Sequence, residues 1–136
     1  MANHLAGGCL CGALRYAVKS APHWVGHCHC RSCQRSAGAP FLTWAEVTRA
    51  DFAYTSGTPA VFASSDHGRR EFCPTCGTQL VFRSDQRPDM LDVTVASLDA
   101  PDALRPTANI FTGTRRAFLH GFDGTLPSWP DEQKRR

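Results

Sequence analysis

The sequence predicts a mainly β protein with short helical turns, and three features predict it. Its apolar residues come in short runs, one of them strictly alternating, and no long stretch repeats at helical spacing. Eleven glycines and nine prolines break the 136-residue chain often, which favours short strands joined by turns. Seven cysteines stand in three tight clusters, all before Gly77, and an odd number so grouped needs a chemical reason.

The elements follow in order. Residues 12–18 alternate, with Leu14, Tyr16 and Val18 on one face and Ala13, Arg15 and Ala17 on the other. Residues 24–27 form a second apolar segment that runs into the cluster Cys28-His29-Cys30. Residues 41–47, 52–55, 60–63, 79–83 and 91–96 read as further strands, each bounded by Gly, Pro, Asp or Ser. A short helical turn is expected over 31–37, stopped by Gly38 and Pro40. Residues 97–104 suggest a short helix or 3₁₀ turn, and 111–122 suggest one or two final strands. No repeat or linker interrupts the chain, so residues 1–136 are read as a single domain. At about 150 residues, folding hides roughly 70% of the surface of the unfolded chain, enough for a core.

Composition excludes several function classes. With 42% hydrophobic and 20% charged residues the chain is not of a disordered type. A net charge of +3 and the absence of a basic stripe interleaved with aromatics argue against a nucleic-acid partner. The basic end Lys134-Arg135-Arg136 is read as a solvated terminus. No apolar run approaches the roughly 18 residues of a membrane span, and residues 1–10 lack the pattern of a signal peptide. A cytoplasmic setting is therefore expected, where thiols stay reduced and disulfides are not the reason for seven cysteines.

Metal is the better reason. The clusters are Cys9-Leu10-Cys11, Cys28-His29-Cys30-Arg31-Ser32-Cys33 and Cys73-Pro74-Thr75-Cys76-Gly77. The last is the strongest, because C-x-x-C followed by Gly makes a tight turn whose amides face the sulfurs. A structural zinc takes four ligands, so Cys73 and Cys76 need two partners. Cys9 and Cys11 could join them and leave Cys28, Cys30 and Cys33 as a triad. Cys30 and Cys33 could join them instead, stranding Cys28. Or Cys9, Cys11, Cys28 and Cys30 could form one site, leaving Cys33 with the last pair. Spacing does not decide, although the first pairing keeps each cluster whole and is preferred. A triad would either be completed by His27 or His29 for a structural role, or keep an open fourth position, as catalytic zinc does. A redox role for Cys30 and Cys33 lacks its usual βαβ setting.

With their flanking residues, these clusters resemble the glutathione-dependent formaldehyde-activating enzyme (GFA, or CENP-V-type) family in a short form. The likeness runs through Gly7-Gly8-Cys9-Leu10-Cys11-Gly12-Ala13-Leu14-Arg15-Tyr16, the stretch from His27 to Phe41, and Phe72-Cys73-Pro74-Thr75-Cys76-Gly77-Thr78. It continues more weakly through Ala96-Ser97-Leu98-Asp99 to Leu126-Pro127. The resemblance implies an Mss4-like fold of β-sheets around zinc. It also implies two zinc ions per chain. Cys9, Cys11, Cys73 and Cys76 would hold a structural one, and Cys28, Cys30 and Cys33 a catalytic one that is more weakly bound. The implied activity is that of a carbon–sulfur lyase, joining or parting glutathione and formaldehyde through S-hydroxymethylglutathione. Glutathione is the implied co-substrate, and small thiols or aldehydes are the implied partners. Arg31 and Arg35 are candidate substrate-binding residues, able to offset thiolate charge and hold the carboxylates of glutathione. Where relatives commonly carry a His and a Trp, this chain has Asn109 and Phe118. Trp24, Phe41 and Trp44 flank the triad and are expected in the core or in a pocket wall, and His67 and His120 are assigned no role. The reading from a different class is a non-catalytic, zinc-stabilised module that binds a protein or a small thiol.

Overall fold

The computed structural model describes residues 4–119 and 126–132. Strands β1 (Leu5–Gly8), β2 (Arg15–Val18) and β5 (Phe52–Ser56) form a three-stranded sheet in the order β1-β2-β5. The larger sheet contains β3 (Trp24–Cys28), β4 (Leu42–Thr48), β6 (Ala60–Ala63), β7 (Gly68–Phe72), β8 (Gln79–Ser84), β9 (Met90–Thr94) and β10 (Asn109–Ile110). Its order is β10-β3-β4-β9-β8-β7-β6. Every pairing between these strands is antiparallel except β10 with β3, where Asn109 lies beside His27 and Ile110 beside Cys28. The one α-helix among the described residues, α1 (Arg31–Ala37), ends on Gly38, which takes the left-handed conformation that closes a helix.

The expectation of a mainly β protein with short helical turns is met. The alternation of residues 12–18 has its predicted outcome, since Leu14, Tyr16 and Val18 are at most 1% exposed. They pack with Ala45, Val47, Val81, Leu91 and Val93 of the central strands in the main core. A second apolar cluster gathers Trp44 and Ile110 around Cys28 and Cys33.

Three strands escaped the sequence reading. Strand β7 reads Gly-Arg-Arg-Glu-Phe, which offers no apolar alternation. Its buried polar residues find partners from other elements: Glu71 accepts from Arg83 and from the Tyr54 hydroxyl at 2.8 Å. Strand β1 carries two glycines, and β10 is two residues long, too short for a periodic signal. In the opposite direction, residues 111–119 form no strand among the described residues, and Thr112–Thr114 is a 3₁₀ turn. The rest of the strand expectation at 120–122, His120, and the tail at 134–136 lie outside the described residues.

The loop after β9 is tied back to the small sheet. Tyr16 and Ser97 share a hydroxyl hydrogen bond of 2.8 Å, and Arg15 donates to both carboxylate oxygens of Asp99 at 2.8 and 2.5 Å. This accounts for the Ala96-Ser97-Leu98-Asp99 stretch as a structural clasp. No helix among the described residues is long and apolar enough to cross a membrane.

Candidate metal centres and cavity

The seven cysteines carry no disulfide and gather into two groups. The sulfurs of Cys9, Cys11, Cys73 and Cys76 all lie within 4.8 Å of one another, as do those of Cys28, Cys30 and Cys33. Of the three groupings that spacing left open, this is the one that keeps each cluster whole.

The four-sulfur group is assembled by two turns. In the first, the Cys9 sulfur accepts from the Leu14 N–H at 3.2 Å, and Gly12 has a φ of +82° that lets the chain reverse. In the second, the Cys73 sulfur accepts from the Cys76 N–H at 3.4 Å, and Gly77 has a φ of +80°. Thr78 staples the turns together, taking the Leu10 N–H at 3.0 Å while its hydroxyl lies 3.3 Å from the Cys76 sulfur. That hydroxyl, followed by backbone N–H groups, pulls the Cys76 thiol down to about 5. Four sulfurs at about 2.3 Å from one ion in a tetrahedron stand about 3.8 Å apart. The separations of 3.6 Å between Cys9 and Cys11 and 3.8 Å between Cys11 and Cys73 fit that figure. The donor set therefore fits a metal ion, and four thiolates in a tetrahedron suit zinc.

The three-sulfur group sits where β3 hands over to α1. Cys28 is the last residue of β3, Cys30 is the helix N-cap, and Cys33 lies on the buried face of the first turn. The Cys30 sulfur accepts from the Cys33 N–H at 3.3 Å, the capping bond that fixes the spacing of the pair. Neither histidine completes the group. Among the described residues no imidazole nitrogen lies within 4.8 Å of all three sulfurs. His27 Nδ1 is 2.8 Å from the Thr43 hydroxyl, and His29 Nε2 is 2.8 Å from Asn109 Oδ1. Since an amide oxygen accepts, His29 carries its proton on Nε2. Asn109 is thus a fully buried partner of His29.

The two groups differ in number of donors and also in burial. Cys11 is exposed, whereas Cys28 and Cys33 are buried. What sets the triad apart is the cavity it faces, about 550 Å³, within the range of small-molecule sites. Trp44, Phe82, Ile110 and Phe111 provide apolar walls beside the sulfurs. The polar end includes His67, which is paired with Asp85, and Arg87, which bridges Glu46 and Asp92. Cys9 and Cys76 border a separate, more open depression of about 460 Å³.

Electrostatics divide the triad. Its neighbours Cys28 and Cys33, then the Cys33 N–H and Arg70, draw the Cys30 thiol down to about 2. Contact with Cys30 and Cys33, and then burial, pushes the Cys28 thiol far up. One negative charge rests easily on the group, and further ionisation calls for a cation. The protein supplies one that sequence reasoning missed. Arg70, from the unrecognised strand β7, donates to the Cys33 sulfur from Nη1 at 3.8 Å and Nη2 at 3.7 Å. Trp44 Nε1 donates to the same sulfur at 3.4 Å.

The arginines chosen from the sequence stand elsewhere. Arg31 and Arg35 are exposed on α1 and line an open depression of about 390 Å³ with Gly38, Pro40 and Arg116, not the triad cavity. Arg31 donates to Gln34 at 2.5 Å. Adjacency in sequence put them near the cysteines; the helix turns their side chains to solvent. Trp24 packs against the second apolar cluster, and Phe41 lies against the rings of His27 and His29. Phe118 is 72% exposed.

The profile of the family described as "Glutathione-dependent formaldehyde-activating enzyme" matches residues 4–114, most of the chain and all seven cysteines. The chain belongs to this family. A solved structure of a Rhodobacter sphaeroides protein from structural genomics work superposes with a TM-score of 0.62 at 21% identity. The match covers 91% of this chain and 99% of that one, and it shows that the two share a fold. For this member of the glutathione-dependent formaldehyde-activating enzyme family, both cysteine groups could hold metal ions, consistent with zinc.

Proposed function

We propose that the protein is a zinc-dependent carbon–sulfur lyase, acting on a thiol adduct of a small aldehyde at the three-cysteine centre. S-hydroxymethylglutathione, the adduct of glutathione and formaldehyde, is the leading candidate substrate. The supporting observation is the contrast between two sulfur groups: one has the four donors that close a tetrahedron, the other has three and faces a cavity.

On this reading Cys9, Cys11, Cys73 and Cys76 hold a structural zinc, and Cys28, Cys30 and Cys33 hold a catalytic one with an open fourth position. When bound there, zinc supplies Lewis acidity that keeps a thiol ionised at neutral pH. The chain's own residues do the rest. Trp44, Phe82, Ile110 and Phe111 shield the sulfurs from bulk water and give the adduct carbon an apolar seat. The polar end, about Arg87 and His67, is where the peptide part of a glutathione-like substrate would lie. In the cleavage direction the carbon–sulfur bond breaks, the electron pair stays on sulfur, and the hydroxyl of the adduct gives its proton to water as it becomes the carbonyl of the aldehyde.

The test is to follow formaldehyde release from S-hydroxymethylglutathione in the presence of an aldehyde trap. The wild-type protein is expected to exceed the uncatalysed rate, and Cys28→Ser to fall back to it. A wild-type rate equal to the background, or an undiminished Cys28→Ser, would overturn the lyase assignment.

A further inference from the structure

Arg70 is only 7% exposed, and a guanidinium so far from water ordinarily sits against a carboxylate. Among the described residues Arg70 has no carboxylate within ion-pair distance. The acids nearby on its sheet are engaged elsewhere, Glu71 with Arg83 and Asp92 with Arg87. Its hydrogen bonds run to the Cys33 sulfur and, at 3.2 Å from Nη1, to the Ser36 hydroxyl. Its Nε is buried with no acceptor among the described residues. The ring of Phe82 lies 5.1 Å from the guanidinium carbon, which offers a cation–π contact and no counter-charge.

Such a placement makes electrostatic sense when the sulfur group it faces carries negative charge. A neutral thiol is a weak acceptor, whereas a thiolate returns a full charge to the guanidinium. Three thiolates around a divalent cation carry one net negative charge, which a single arginine cancels. An anionic fourth ligand then restores one negative charge to the centre instead of doubling it. Trp44 adds a second donor to the same sulfur, so two side chains face the charge of Cys33.

We propose that Arg70 is the charge-balancing, positioning residue of the three-cysteine centre, held against Cys33 so that the centre retains a divalent ion and admits a fourth ligand of the thiolate class. The inference rests on the reading of the triad as a metal centre given under the proposed function. The outer partners of metal ligands commonly change affinity by about 10–100-fold when removed. Arg70 would belong to that class, from a strand with no ligand of its own.

The test uses the full chain loaded with cobalt at both centres, as wild type, R70K, R70Q and R70M. Two quantities are read: the chelator concentration that releases the second ion, and the 2-mercaptoethanol concentration that half-shifts its absorption bands. In R70Q and R70M the second ion should leave at about tenfold lower chelator, and mercaptoethanol should bind about tenfold more weakly. R70K, which keeps the charge but loses the two-nitrogen fork, should fall between wild type and the neutral variants, and the first ion should be unaffected throughout. Equal values in all four proteins would overturn the proposal. So would a parallel loss of both ions, or failure of both neutral variants to fold, because Arg70 would then be holding the fold. A wild type that binds a single ion per chain would remove the metal centre itself, a result distinct from two ions that ignore residue 70.

Discussion

A thiol's neighbours decide whether it meets a metal as a proton donor or as a ready anion. Cys30 is drawn down to about 2 by Cys28 first and then Cys33, while Cys28 is raised by the same contacts. In the absence of a cation Cys28 therefore keeps its proton at neutral pH, and a metal ion must displace it. The sign follows from that competition. Protons win as pH falls, so affinity at the triad should weaken with acidification, by about tenfold per unit for each proton displaced. The four-cysteine group, where Thr78 lowers Cys76 to about 5, grips its ion with one more sulfur than the triad and should hold its metal to lower pH. A chelator titration at several pH values checks this. The centre at Cys28, Cys30 and Cys33 should empty first, and simultaneous loss from both would contradict the contrast between four donors and three. Asn109 shows how far one residue could be read from sequence. Its departure from the common His was visible, but its partnership with His29 was not, because 80 residues separate the two.

At the scale of elements, the turns carry most of the specificity. Gly77 follows the last cysteine of its turn with a positive φ, and a methyl group built there would meet nothing within 4 Å. Substitution there tests backbone strain with no steric clash. Gly77→Ala should cost about 1–2 kcal/mol in a metal-loaded melt and lower the melting temperature without changing the number of ions bound. An unchanged melting temperature would show that the turn does not need its left-handed residue. Legibility follows the same divide between local and distant. The turns, α1 and the alternating strands were readable, since each is specified by neighbours in sequence. Strand β7 was not, because the partners that let Arg70 and Glu71 lie buried in a sheet come from β5, β8 and α1. Arg70 was missed with its strand, and Arg31 and Arg35 were chosen in its place because sequence distance is a poor guide to which side of a helix faces a site.

Across the whole molecule, the proposed arrangement gives the two centres different jobs. The four-cysteine group joins the end of β1 to the turn between β7 and β8, tying the small sheet to the large one. A structural zinc contributes about 10–16 kcal/mol, as much as the roughly 5–15 kcal/mol that holds an ordinary domain together. Cys73→Ser should therefore leave little folded protein, read by circular dichroism. The triad joins only β3 to α1, neighbours in the chain. Cys28→Ser should keep the β-sheet signal and lose one ion. If the two variants are equally folded, the division of labour is wrong. The resemblance named from three cysteine motifs extended correctly to the fold, because two of those motifs tie the sheets together. It carried less about substrate, since beyond the triad itself much of the cavity wall comes from β4, β7, β8 and residues 110–111, outside the cysteine motifs.

The central claim is that one set of cysteines closes around a metal ion and the other leaves a position open. Elemental analysis of the purified protein, before and after dialysis against a mild chelator, tests it most directly. Two zinc ions per chain falling to one, with the fold intact, is the expected result. A single ion from the start, or two that resist the chelator equally, would contradict it.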